Sequence, residues 1–132
     1  SSDDPLQHHI HTEYFHVPQQ TADVINRARA QGGRVVAVGT TVVRALESAA
    51  VMSDMKSGGQ LQQQGAATSL YILPGFQFQV VDLLLTNFHV PRSTLVMMVS
   101  AFATREEILA AYQKAVCDGY RFLSFGDAML IL

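Results

Sequence analysis

Apolar and polar positions along the chain divide it into alternating helix-like and strand-like segments. Ser1 to Pro5 read as a frayed end. An extended opening stretch follows and stops at Pro18. Thr21 then reads as the N-cap of a helix that ends near Gly32-Gly33. Arg34 to Val38 is a short apolar run and predicts a buried strand. Gly39-Thr40-Thr41 turns the chain into a second helix. At about 100° per residue, Val42, Val43, Leu46, Ala49 and Ala50 share one face of it, with Arg44, Glu47 and Ser48 opposite.

Residues 53 to 67 are rich in glycine and glutamine and predict a mobile surface loop. Thr68 to Leu73 reads as a strand, and Pro74-Gly75 supplies type II turn chemistry. Phe78 to Thr86 reads as the returning strand. Leu95 to Phe102 is apolar nearly all round and predicts a buried helix. Thr104-x-x-Glu107 is a capping box for a further helix, with Ile108, Leu109, Tyr112, Ala115 and Val116 inward and Gly119 at its end. Ala128 to Leu132 is a last apolar strand. There is no internal repeat. This order predicts a layered α/β/α domain whose sheet is mixed and mostly buried.

Composition narrows the picture. The 132 residues fit one domain, and 48% hydrophobic with 15% charged residues suits a globule with a core. The single cysteine, Cys117, excludes an internal disulfide and a multi-cysteine zinc site. A net charge of −2 gives no support to a strong nucleic-acid footprint. Arg27, Arg29, Arg34 and Arg92 are the local candidates for phosphate contact, with surface solubility as the bland alternative. No apolar run approaches the roughly 18–20 residues of a membrane span, and no signal-peptide pattern opens the sequence.

Five clusters could carry chemistry. Gly39-Thr40-Thr41, between strand and helix, offers backbone N–H groups and a helix dipole to a carboxylate or phosphate. The commoner reading is an ordinary threonine-capped helix start. Arg44 and Glu47 either form a solvated pair or face the same ligand. In the opening stretch, strand alternation would set His9, His11 and Glu13 on one face. They could act as acid, base or hydrogen-bonding groups, and less readily as metal ligands. Asp82, Asn87 and His89 form the fourth cluster. Asp82 interrupts an apolar run and needs a partner, structural or not, while His89 has the intrinsic pKa of a base near neutrality. Gly126-Asp127 is either a turn or a carboxylate in the same cleft. Cys117 reads as incidental.

Together, several motifs in one order resemble a known family. They are His11-Thr-Glu-Tyr14, Val38-Gly-Thr-Thr-Val-Val-Arg-Ala-Leu-Glu-Ser-Ala49, Pro74-Gly-Phe76, Val81-Asp82, Thr86-Asn-Phe-His-Val-Pro-Arg-Ser-Thr-Leu95, Val99-Ser-Ala-Phe102, Tyr120-Arg-Phe122 and Gly126-Asp-Ala-Met129. The chain resembles the C-terminal part of the S-adenosylmethionine:tRNA ribosyltransferase-isomerases of queuosine biosynthesis. The small departures are Thr12, Val42 and Val90, where serine, serine and leucine are frequent.

The resemblance implies that residues 1–132 form the C-terminal part of a large α/β domain, with an N-terminal segment and an inserted β-barrel domain lying outside. It implies transfer and isomerisation of the ribosyl unit of S-adenosylmethionine onto 7-aminomethyl-7-deazaguanine in tRNA, giving epoxyqueuosine-tRNA. The sulfonium acidifies the adjacent C5′–H. The chemistry then needs a base, assistance to adenine departure and an anchor for the methionine carboxylate.

On this reading His89 or His11 is the base, and Asp127 orients ribose or base. Glu13, Gly39, Thr40, Thr41, Arg44, Glu47, Asn87 and Ser93 bind substrate. No metal and no permanently bound cofactor are expected, since S-adenosylmethionine is a cosubstrate. The partners are tRNA and the remainder of the enzyme, and the expected state is a cytoplasmic monomer that does not act as this piece alone. The alternatives are a non-catalytic module binding an anion or nucleotide, and a purely structural fragment.

Overall fold

In a computed structural model, the residues described are 13–87, 98–99, 101–102, 107, 110–111, 113–114, 117–118 and 128–131. The chain folds as a mixed α/β structure with five strands and two complete helices among those residues. Strand β1 (Glu13–Val17) pairs antiparallel with β3 (Gln64–Thr68). Strand β2 (Val36–Val38) runs parallel to β4 (Leu83–Asn87), and β5 (Ala128–Ile131) pairs antiparallel with β4 on its other side. The expected mixed sheet is therefore present, in the order β2-β4-β5.

Helix α1 (Gln19–Ala30) begins two residues before the predicted cap Thr21. Pro18 is the N-cap, with φ −64° already set by its ring, and its carbonyl accepts the Ala22 N–H at 3.0 Å. At the other end Gly32 takes φ 80°. Its N–H reaches the Arg29 carbonyl at 3.1 Å, and the Gly33 N–H reaches Ala28 at 2.8 Å. This is a Schellman termination, which needs the left-handed residue that glycine adopts without strain.

Helix α2 (Thr40–Met52) is the centre of the core. Val43, Leu46, Ala49 and Ala50 are buried as its amphipathic pattern predicts. The polar face departs from the pattern, because Glu47 and Ser48 are also buried while Val42 is 41% exposed. The reason is that α2 packs against both sheets: β3 covers Ser48, and the backbone of residues 79–81 covers Glu47. The Ser48 and Thr68 hydroxyls share a hydrogen bond of 2.8 Å across that contact.

Three expectations need correction. Residues 53–67 carry regular structure and are not a featureless loop. They contain a 3-10 turn at Met55–Ser57 and all but the last residue of β3. The Asn26 amide clasps the backbone of the buried Leu61, donating to its carbonyl at 2.7 Å and accepting its N–H at 3.0 Å. The strand predicted over Thr68 to Leu73 lies earlier, at β3. The Pro74-Gly75 hairpin joins no strand pair. Its turn does form, with Gly75 at φ 94° and the Phe76 N–H donating to the Leu73 carbonyl at 3.0 Å. It redirects the chain so that Phe76 and Phe78 meet edge to face, and Phe78 stacks on Phe102 at 4.1 Å.

Met98 and Val99 are helical and buried, in line with the predicted buried helix. Glu107, Ala110, Ala111, Gln113, Lys114 and Cys117 are helical and exposed, as the outward face of the next helix requires. The inward face proposed for that helix, Thr104 and Gly119 lie outside the described residues.

Candidate active-site edge

The parallel pair β2–β4 fixes where polar motifs meet. Val38 pairs with Leu85, and the next residue, Gly39, donates its N–H to the Leu85 carbonyl at 2.8 Å. Both strands therefore end on the same edge of the sheet. One ends in Gly39-Thr40-Thr41, the other in Asn87. Strand β5 arrives there from the opposite direction, and its first residue, Ala128, pairs with Asn87. Gly39, Asn87 and Ala128, separated by up to eighty-nine residues, thus meet at the carboxyl ends of two parallel strands. This is where open α/β sheets place ligands.

Gly39 is what allows the corner. Its φ of 97° and ψ of 149° lie where essentially only glycine is unstrained, and it is the N-cap of α2. Among the described residues no side chain caps that helix, and its first turn carries no acidic residue. Thr40 is 8% exposed and Thr41 is exposed. The partial positive charge of the helix start is accordingly not countered by a protein carboxylate in the first turn.

One turn along, Arg44 is joined to Glu13. Its Nη1 donates to Glu13 Oε2 at 2.6 Å and its Nε to the Leu70 carbonyl at 3.3 Å. The arginine side chain is 12% exposed and the glutamate 48%. Two candidates predicted from separate motifs are thereby brought together, tying β1 and the segment after β3 to α2. Glu13 thereby neutralises part of the charge of Arg44.

Glu47 has a different partner from the one its sequence position suggested. It is 0% exposed, and its carboxylate accepts three backbone N–H groups, from Gln79 at 2.8 Å, Val80 at 3.0 Å and Val81 at 2.9 Å. Both oxygens face the protein's own backbone, which anchors the segment entering β4. Asp82 is likewise structural. Its Oδ2 accepts the Val35 N–H at 2.7 Å while the Val35 carbonyl accepts the N–H groups of Asp82 and Leu83, so the two strand starts are clipped together.

His11, His89, Ser93 and Asp127 lie outside the described residues, as do His9 and Arg92. Arg27 and Arg34 are exposed, and Arg29 donates to the Val80 carbonyl at 3.0 Å. Among the described residues no three His, Cys, Asp or Glu side chains gather as a metal cluster, and no helix is long and apolar enough to cross a membrane. Sequence reasoning did not raise Asn26. Its signal is visible only in space, because the backbone it holds is thirty-five residues away.

Comparison with known proteins decides the family. The family model described as queuosine biosynthesis protein matches residues 1–131. The chain belongs to the queuosine biosynthesis protein family. Within that family, it is 58% identical over 125 residues to a Nitrosomonas eutropha protein named S-adenosylmethionine:tRNA ribosyltransferase-isomerase, covering 95% of this chain and 35% of that relative. It also superposes on the crystal structure of an S-adenosylmethionine tRNA ribosyltransferase from Thermotoga maritima, with a TM-score of 0.79 and 46% identity over 90% of this chain and 40% of that one. This queuosine biosynthesis family chain thus spans about a third of the curated relative it matches.

Proposed function

We propose that this chain supplies the carboxyl-end wall of the active site of an S-adenosylmethionine:tRNA ribosyltransferase-isomerase. The reaction is transfer and isomerisation of the ribosyl moiety of S-adenosylmethionine onto 7-aminomethyl-7-deazaguanine in tRNA, a cytoplasmic tRNA modification that yields epoxyqueuosine-tRNA. The observation that carries this reading is the convergence of Gly39-Thr40-Thr41, Asn87 and Ala128 on one sheet edge, in a chain 58% identical to a protein of that name.

The roles follow from chemistry. The uncapped start of α2 attracts an anionic group, the methionine carboxylate or a tRNA phosphate. Arg44, with Glu13 against it, keeps β1 beside that anchor and adds a positive charge one turn away. His89 or His11 removes the proton next to the sulfonium. Asn87, Ser93 and Asp127 hydrogen-bond ribose or base. Glu47 acts indirectly, by fixing the backbone that leads into β4. No metal takes part.

The test uses a chimaera, the intact Nitrosomonas relative with its matched segment replaced by this chain. The chimaera is expected to modify tRNA, and this chain alone is not. His89→Ala or His11→Ala in the chimaera should lower turnover by about 10²-fold or more. Normal turnover in both variants, with folding intact, removes the base assignment. A second reading is an anion-binding module without catalysis. Ligand binding by the chimaera with no turnover would favour it.

A further inference from the structure

Strands β1 and β3 form a two-stranded sheet whose faces differ. One face turns Phe15 and Val17, with Gln64, Ala66 and Thr68 across from them, toward α2. The other carries Tyr14 opposite Ala67 and His16 opposite Gly65, and all four are exposed. At 87%, Tyr14 is the most exposed large hydrophobic side chain among the described residues. A strand aromatic normally gains stability from the side chain across from it. An alanine and a glycine offer Tyr14 and His16 almost no such contact. The His16 ring lies close over Gly65, since a Cβ added there would stand 3.4 Å from its Cδ2. The two rings, two residues apart on one strand, are spaced by about 6.8 Å on an open face.

We infer that Tyr14 and His16 form a stacking platform for the unpaired RNA bases that flank the nucleotide being modified. The inference rests on the reading that this chain acts on a base in tRNA. An enzyme reaches a base by drawing it out of its stack, and the neighbouring bases then lose a partner. Proteins replace that partner with the ring faces of Tyr, His, Phe or Trp, which is how they hold single-stranded RNA. Position favours this occupant. Glu13, the residue before Tyr14, is bound to Arg44, one turn along α2 from the Gly39 corner. Bases on the platform therefore continue the RNA strand that enters the proposed site. Gly65 and Ala67 keep the sheet low beside the rings, so a planar base can approach. Neither strand carries a lysine or arginine, so this face offers rings, not positive charge, to the nucleic acid.

Direct binding of tRNA carrying 7-aminomethyl-7-deazaguanine to the chimaera tests it. Tyr14→Ala should weaken that affinity about fivefold or more, and His16→Ala should weaken it to a smaller degree. Tyr14→Phe keeps the ring and should bind within about twofold of the parent chimaera. No phosphate contact is removed, so the slope of log affinity on log salt should stay that of the parent. Affinity for S-adenosylmethionine and the urea unfolding midpoint should be unchanged in all three variants, since rings this exposed hold little of the fold. Unaltered tRNA affinity in both alanine variants overturns the platform and leaves the face to a protein partner. Equal weakening by Tyr14→Phe and Tyr14→Ala also overturns it, by making the hydroxyl the contact. A parent chimaera that modifies tRNA while Tyr14→Ala binds normally keeps the function and loses the platform. A parent that binds tRNA without turnover, and weakens on Tyr14→Ala, keeps the platform and loses the catalytic reading.

Discussion

At its N-terminus α2 presents Gly39, Thr40 and Thr41 with no capping side chain among the described residues, whereas two turns further on Glu47 and Ser48 are buried and hydrogen-bonded. The two regions lie on one helix and are both polar, yet they do opposite things. Around Glu47 each polar group meets protein: three N–H donors for the carboxylate and the Thr68 hydroxyl for Ser48. Such groups specify the fold, because leaving a buried donor unpaired costs about 1–3 kcal/mol. At Gly39 the backbone is held open at the end of two parallel strands. Polarity that the fold does not use internally is what remains for a ligand.

The strongest way to break this contrast is Glu47→Ala. It strands three backbone N–H groups in the core and should lower unfolding free energy by about 3 kcal/mol or more, measured by urea denaturation. A variant of normal stability that had lost affinity for S-adenosylmethionine in the chimaera would place Glu47 with the ligand instead. Gly39→Ala should come next. A Cβ there meets no atom within 4 Å, so the cost is backbone strain alone, about 1–3 kcal/mol. The same variant should weaken S-adenosylmethionine or tRNA binding by the chimaera more than its stability loss explains. Smallest is Glu13→Gln, whose half-exposed ion pair should cost less than about 1 kcal/mol. It sharpens the comparison by its effect on binding. Removing the Glu13 charge beside Arg44 should tighten an anionic substrate at low salt, and weaker binding would make Glu13 a direct contact.

Periodicity made much of this architecture legible. The buried side of α2, the strand ending at Val38, the Pro74-Gly75 turn and the last strand follow from local pattern, because each is decided by neighbours in sequence. The errors have one cause. Glu47 pairs with backbone more than thirty residues away, so its helix position suggested a solvated face. Residues 53–67 look like linker by composition, yet Asn26 and the buried Leu61 fix them from outside the segment. Strand β3 is Gln-Gly-Ala-Ala-Thr, with little intrinsic strand preference, and exists because β1 pairs with it. The convergence at the site was suggested by motif resemblance. The register that accomplishes it, Gly39 on Leu85 and Asn87 on Ala128, is a tertiary fact no single segment encodes.

The strand pairing also has a kinetic consequence. Among the described residues every paired register joins positions more than forty apart, and the one tight proline–glycine turn closes no hairpin. Long loops must therefore close before these strand bonds form, which favours a high contact order and slow folding. Helix α2 closes its backbone bonds locally and contacts both sheets. Substitutions that weaken this helix should slow refolding, whereas those at the Asp82 clip should mainly speed unfolding.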